Sequence, residues 1–160
     1  MNTLIIKNNQ RLNAYPALFG SFNYKGMPLF SYAENLFYNG LSQMVAGYEG
    51  GYFDFLKVVE EEGVSEIEPK GFIPLLSSDD RVVLSSPFGV TKTLSLRAAS
   101  LVVWIYVIDQ IAMNISDTVI AGRLYRVIQD VKYTYSILMD EKGNKIFTPD
   151  DCNSIYSLLD

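Results

Sequence analysis

The segment that decides the fold is residues 95–113, SLRAASLVVWIYVIDQIAM. Beyond its first turn, the only strongly polar residues are Ser100, Asp109 and Gln110, so no broad polar face is left for water. A helix that is apolar on nearly all sides is either a buried core helix or a membrane span. A span needs about 20 mainly apolar residues, whereas the uninterrupted run here, 101–108, has eight. The segment is therefore predicted to be a buried central helix.

The same run contains several β-branched residues, which would also suit a buried strand, and periodicity alone does not separate the two. The length of the segment favours a helix. Ser95 is predicted to be its N-cap and Asn114 its C-terminal stop. Trp104, the single tryptophan of the chain, is predicted to anchor the hydrophobic core.

The composition predicts a single domain over residues 1–160, because 49% of the residues are hydrophobic and can build a core. Residues 1–14 are polar apart from a short apolar patch and are predicted to form a loosely held arm or an edge strand. That patch is too short for the hydrophobic region of a signal peptide. Cys152 is the only cysteine and cannot form an internal disulfide. These features predict a cytoplasmic protein.

The charge of the chain is concentrated in one window. Residues 49–68 contain seven acidic residues and one basic residue, although the net charge of the whole chain is only −5. A DNA-binding domain would instead carry a basic stripe. No direct binding of nucleic acid is expected, and the apolar run is too short to predict a membrane partner.

The rest of the pattern predicts an α+β fold: a single compact domain with a small antiparallel three-stranded meander packed against several helices, including the buried central helix. In order, the predicted elements are a helix over 26–46, strands over 47–59, 71–76 and 81–86, a long helix from Ser116 or Asp117 to about Leu138, and a last short helix starting at Thr148. Pro74 would have to lie on an edge strand or at a bulge. The Pro-Phe-Gly at 87–89 is predicted to end the sheet and lead into the central helix.

The sequence shows no recognisable set of catalytic residues. It has no histidine, the commonest general base at neutral pH. Asp54 lies between two aromatic residues, and Asp109 lies on the apolar helix. Either could be a carboxylate with a raised pKa, which is a mark of functional sites. The alternatives are that Asp54 points to the open face of its strand and that Asp109 marks the solvent-exposed end of its helix. The acidic run at 60–68 matches no calcium loop and is interpreted as a solvated loop or a partner surface. No enzyme activity, metal or cofactor is predicted.

Four blocks, in order, resemble the antirestriction family ArdB/KlcA. They are QRLNAYPALFG at 10–20, GYEGGYFDF at 47–55, KGFIPLL at 70–76 and TLSLRAASLVVWIYVIDQIA at 93–112. The chain differs from the family pattern at Arg97, where an acid is usual, and at Phe53, a position often taken by Trp. The resemblance implies a bacterial protein carried by a plasmid, phage or genomic island. It also implies that the protein protects incoming DNA from type I restriction enzymes without catalysis or a cofactor.

The resemblance leaves two mechanisms open. A DNA mimic should spread its carboxylates over a long surface, whereas this chain concentrates them in one window, so contact with a type I restriction enzyme subunit or an accessory host factor is favoured. The partner-contact candidates are the Gly-Gly-aromatic block and the adjoining acids: Tyr48, Gly50, Gly51, Tyr52, Phe53, Asp54, Phe55, Glu60, Glu61 and Glu62. The alternatives are a metal-dependent enzyme using Asp54 or the acidic residues at 60–68, and a structural or assembly protein with no effect on restriction.

Overall fold

The computed structural model describes residues 2–6, 19, 23–50, 53–59, 72–140 and 142–159, with the backbone alone at 2–6, 53–59 and 72–73. The strands are β1 (Asn2–Ile6), β2 (Asn23–Tyr24), β3 (Met27–Pro28), β4 (Phe53–Val59), β5 (Phe72–Leu76), β6 (Arg81–Ser85) and β7 (Thr91–Ser95). The α-helices are α1 (Leu29–Met44), α2 (Leu96–Asn114), α3 (Thr118–Thr134) and α4 (Pro149–Leu159), and a 3₁₀ turn (Tyr135–Ile137) follows α3.

Helix α2 is the centre of the hydrophobic core, as predicted. Twelve of its residues are buried, and it packs against α1, α3, α4 and β5. Although its uninterrupted apolar run is short, the whole helix is long and apolar enough to cross a membrane. Its burial by these elements, and not its length, therefore identifies it as a core helix. The Oγ of Ser95 accepts a hydrogen bond from the Ala98 N–H at 3.1 Å, which confirms the predicted N-cap.

Trp104 is fully buried near the middle of α2. Its ring makes edge-to-face contacts with Phe19 and Phe37, at centroid distances of 6.0 and 5.6 Å. Such geometry is the preferred one for aromatic pairs and adds to the burial of apolar area. The predicted core anchor is therefore confirmed.

The strands confirm the α+β class but not the predicted meander. β4 pairs with β1 and β5 in one antiparallel sheet, whereas β6 pairs with β7 in a separate hairpin. Residues 87–89 turn between β6 and β7 and do not end the sheet. Pro74 lies on β5, an edge strand of its sheet, as expected.

The first turn of α2 bonds to the connection between β5 and β6, which belong to different sheets. The Leu96 and Arg97 N–H groups donate to the carbonyls of Asp80 and Ser78 at 2.8 and 3.0 Å, and the Leu76 N–H donates to the Oγ of Ser100 at 3.1 Å. These bonds satisfy the backbone groups of the connection. The connection thus bridges the two sheets over the first turn of α2.

Helices α3 and α4 begin at their predicted caps, whereas α1 begins at Leu29 and not at the predicted 26, because Met27–Pro28 pairs with Asn23–Tyr24 in a β-hairpin. Asp117 caps α3 by accepting hydrogen bonds from Val119 and Ile120 N–H groups, each at 3.0 Å. The Thr148 hydroxyl oxygen accepts a bond from the Asp151 N–H at 3.2 Å at the start of α4. Strand β1 forms the outer edge of its sheet, one of the two predicted alternatives for the N-terminal segment.

Candidate functional site

The predicted partner surface begins where α1 ends. The Ala46 N–H donates to the Val83 carbonyl at 3.0 Å, which fixes this end of the helix against β6. Tyr48 is half-buried and packs on the core, and burial raises the pKa of its phenol. Gly50 is exposed with φ +108°, a conformation that favours glycine. The loop that follows α1 is therefore anchored to β6 at its first residues.

The rest of that surface lies partly outside the described residues. The backbone of Phe53, Asp54 and Phe55 belongs to β4 and pairs with Leu76, Leu75 and Pro74. Their side chains are not described, and Gly51, Tyr52, Glu60, Glu61 and Glu62 lie outside the described residues. The contact role of these ten positions therefore stays a prediction.

A groove of about 390 Å³ lies between the β6–β7 turn, α2, α3 and α4. Its walls are mainly apolar, and Asp109 and Lys132 line it. Asp109 is half-buried, which lies between the two predicted alternatives of a buried carboxylate and a solvent-exposed one. Phe88, 81% exposed, stands at the groove and meets Tyr106 edge-to-face at 6.2 Å. This arrangement can accept an apolar group, but it holds no nucleophile and base in contact.

A second, smaller pocket of about 200 Å³ lies between the β2–β3 hairpin, α1 and the end of α2. Lys25, at the tip of the hairpin, has φ +51°. Its ammonium lies 5.5 Å from the ring centroids of both Tyr24 and Tyr32. These two rings meet edge-to-face at 5.0 Å. Gln110 and Asn114 of α2 complete the polar lining.

A buried polar cluster ties α4 to the β6–β7 hairpin. Asp151 is 3% exposed, and its carboxylate accepts the N–H and O–H of Ser95 at 3.0 and 2.6 Å. Arg81 pairs with the same carboxylate at 3.0 Å and donates to the Thr93 carbonyl at 3.2 Å. Because each carboxylate oxygen is engaged, the cluster is structural. Sequence reasoning missed it, since the partners lie 56 and 70 residues from Asp151.

Metal and thiol chemistry have little support in the described part of the chain. There, no three Cys, Asp or Glu side chains are grouped closely enough to hold a metal ion. The side chains of Asp54 and of the acidic run at 60–68 fall outside that part. Cys152 is half-buried. Burial, and secondarily the negative charge of Asp151, raise the pKa of its thiol, which leaves less of the nucleophilic thiolate.

The described elements define an α+β domain in which small antiparallel sheets and three helices surround a central apolar helix. This fold is similar to that of the solved structure of KlcA and ArdB, proteins reported to show a novel fold and antirestriction activity against type I DNA restriction systems in vivo but not in vitro. The TM-score is 0.69 over 99% of this chain and 94% of that chain, at 21% sequence identity. The resemblance carried by the four sequence blocks is thus confirmed at the level of the fold. No family model and no curated protein matches the chain.

Proposed function

We propose that this chain is an antirestriction protein of the ArdB/KlcA family that protects incoming DNA of a plasmid, phage or other mobile element from bacterial type I restriction enzymes. The observation that carries the proposal is the shared fold, which extends over 99% of the chain. Four ordered sequence blocks point to the same family independently of the coordinates. Because a fold can host unrelated functions, the proposal depends on both observations together.

The protein acts in the cytoplasm by contact, without catalysis or a cofactor. The whole sequence has no histidine, and the raised pKa of Cys152 makes its thiol a poor nucleophile. Helix α2 has the longest apolar segment that could contact a membrane, but most of its apolar side chains are buried in the core. These observations favour a role for the shape and charge of the surface.

The partner is a subunit of the restriction enzyme or an accessory host factor. The contact surface comprises Tyr48, the Gly-Gly-aromatic block that follows it, and the acidic residues at 60–62. The position of Tyr48 and Gly50 supports this contact surface, because both follow closely after the end of α1, which is hydrogen-bonded to β6. A surface on a fixed support loses less conformational entropy on binding than a free loop. Acidic side chains beside it would favour a partner with a basic patch.

The test is the plating efficiency of unmodified phage on a host with a type I restriction enzyme. We expect the parent chain to raise plating and two variants to lose this effect: Gly51→Arg and the triple Glu60/Glu61/Glu62→Lys. Gly122→Arg is the matched control for the first variant, because a Cβ at this exposed position of α3 meets nothing within 4 Å. All variants are first compared by thermal melting to establish that they fold.

Each outcome is decisive for one part of the proposal. No protection by the folded parent would refute the antirestriction function. Protection by the parent and equally by both folded variants would refute the contact surface while leaving the function in place. Loss with Gly122→Arg as well would show that the assay responds to any added arginine.

A further inference from the structure

The pocket between the β2–β3 hairpin and α2 has an unusual polar lining. Its polar side chains are Tyr24, Lys25, Tyr32, Gln110 and Asn114, and every one of them can donate a hydrogen bond. One carries a full positive charge, and no acidic residue lines the pocket. Among the described residues, no carboxylate pairs with Lys25. The lining is thus complementary to an anion.

Two aromatic rings favour a position of the lysine ammonium beside the pocket. The backbone of Lys25 lies in the left-handed region at φ +51°, which non-glycine residues rarely adopt. Its ammonium lies 5.5 Å from both tyrosine centroids, within the range of cation–π attraction. Such contacts narrow the range of positions of an otherwise flexible side chain. Preorganisation of this kind reduces the entropy lost on binding.

The end of α2 contributes side-chain donors to the pocket, which offset the negative end of the helix dipole beside it. The Asn114 side-chain amide donates to the Gln110 carbonyl at 2.7 Å, and the Ile115 N–H donates to the Ile111 carbonyl at 3.0 Å. The second N–H of the Asn114 amide remains available to a ligand.

The size of the pocket selects the kind of ligand. A volume of about 200 Å³ is below the range of about 300–1,000 Å³ typical of pockets for cofactors and drug-sized molecules. It suits one short acidic side chain. The exposed Met113, 69% accessible, directly precedes Asn114 in the chain, and methionine and tyrosine are both enriched at protein interfaces.

We propose that this pocket is a second contact point on the protein partner, and that it receives an Asp or Glu carboxylate from that partner. This proposal rests on the proposed function, because it takes the partner to be a protein of the restriction machinery. Beyond that function, it names a carboxylate as the group that the pocket recognises. The acidic surface at 60–62 and this basic pocket would then meet patches of opposite charge on the partner.

The direct test uses the full-length ¹⁵N-labelled chain titrated separately with sodium acetate and inorganic phosphate. Acetate should shift the backbone signal of Lys25 and the side-chain amide signals of Gln110 and Asn114. Lys25→Asn, which suits the left-handed backbone, should weaken acetate binding by about tenfold. Absence of acetate shifts in the parent, or unchanged shifts in Lys25→Asn, would overturn the proposal. Binding of phosphate but not acetate would show that the pocket selects a phosphate group and would also overturn the proposal.

The cellular test uses the plating assay. We expect Lys25→Glu and Lys25→Asn to lose at least about tenfold of the protection given by the parent, while Lys25→Arg retains it. Lys142→Glu is the matched control, because Lys142 is also an exposed lysine in a tight turn. Equal protection by folded Lys25→Glu would overturn the pocket as a contact point without affecting the antirestriction function. If the parent itself gave no protection, the proposed function would fail, and the acetate titration would decide the pocket separately.

Discussion

The packing of α1 against the central helix α2 can be tested at one glycine. Gly40 is buried in the α1–α2 interface, and a Cβ placed there would lie 2.8 Å from the Cγ1 of Val103. Real Cβ contacts essentially never come this close. Val103 is itself fully buried on α2, and a β-branched side chain in a helix has one strongly preferred rotamer. Gly40→Ala therefore forces one helix to shift.

The expected magnitude follows from two opposing terms. Replacing a mid-helix glycine by alanine stabilises a helix by about 1 kcal/mol, while overpacking a core costs about 1–3 kcal/mol. The net effect expected for Gly40→Ala is a loss of about 1 kcal/mol in the free energy of unfolding. Gly122→Ala in α3 supplies the control, because its Cβ would meet nothing within 4 Å. That variant should gain about 1 kcal/mol.

Thermal melting followed by circular dichroism separates the two variants. In a domain of this size, about 1 kcal/mol corresponds to about 2–4 °C in Tm. Gly40→Ala should therefore melt about 4–8 °C below Gly122→Ala. If Gly40→Ala melted as high as Gly122→Ala, the close approach of α1 to α2 would be refuted.

Three further predictions concern the core and α4. Trp104→Ala should lower the free energy of unfolding by about 3–5 kcal/mol, measured by urea denaturation; a loss below about 1 kcal/mol would contradict its place among Phe19 and Phe37. Asp151→Asn should cost about 2 kcal/mol by the same measurement, because the bonds of Ser95 and Arg81 to the carboxylate lose their ionic partner. The exposed neighbour Asp150, changed to Asn, should stay within about 0.5 kcal/mol of the parent, and equal losses would contradict the buried cluster. Because the pKa of the Cys152 thiol is raised, less thiolate is present at pH 8, so iodoacetamide should react more slowly with the folded chain than with the chain in urea; equal rates would contradict the burial.

The sequence predicts well those elements whose signals are local. Helix α2 has an apolar run of sufficient length and a serine at its start, and α3 and α4 have Asp117 and Thr148 as caps. In each case the residues that determine the helix start lie within a few positions of one another. The sequence therefore predicts the starts of these three helices, whereas α1 is shorter than predicted at both ends and α3 ends at Thr134, before the predicted Leu138.

The pairing of the strands could not be predicted in this way. The Pro-Phe-Gly at 87–89 predicts an end of the sheet, but in the structure it forms the turn of the β6–β7 hairpin. Residues 91–94, Thr-Lys-Thr-Leu, lack the apolar–polar alternation that is typical of a half-buried strand. The connection between β5 and β6, at residues 78–80, bonds to the first turn of α2. That contact is tertiary and has no local pattern.

The two candidate sites differ in how far the sequence predicts them. The pocket at Lys25 combines the β2–β3 hairpin and α1, which are adjacent in the chain, with the distant end of α2. Neither Lys25 nor its two tyrosines belongs to a motif that single-sequence reasoning identifies. The Gly-Gly-aromatic block, by contrast, is visible in the sequence because its residues are contiguous.

The measurement that tests the central claim most directly is phage plating in a host that carries a type I restriction enzyme, with and without this chain expressed. The account predicts that the chain raises the plating of unmodified phage severalfold or more and leaves unchanged both the plating of phage already modified by that host and the plating on a host without the enzyme. Unchanged plating of unmodified phage, with the folded chain present in the cells, would contradict it.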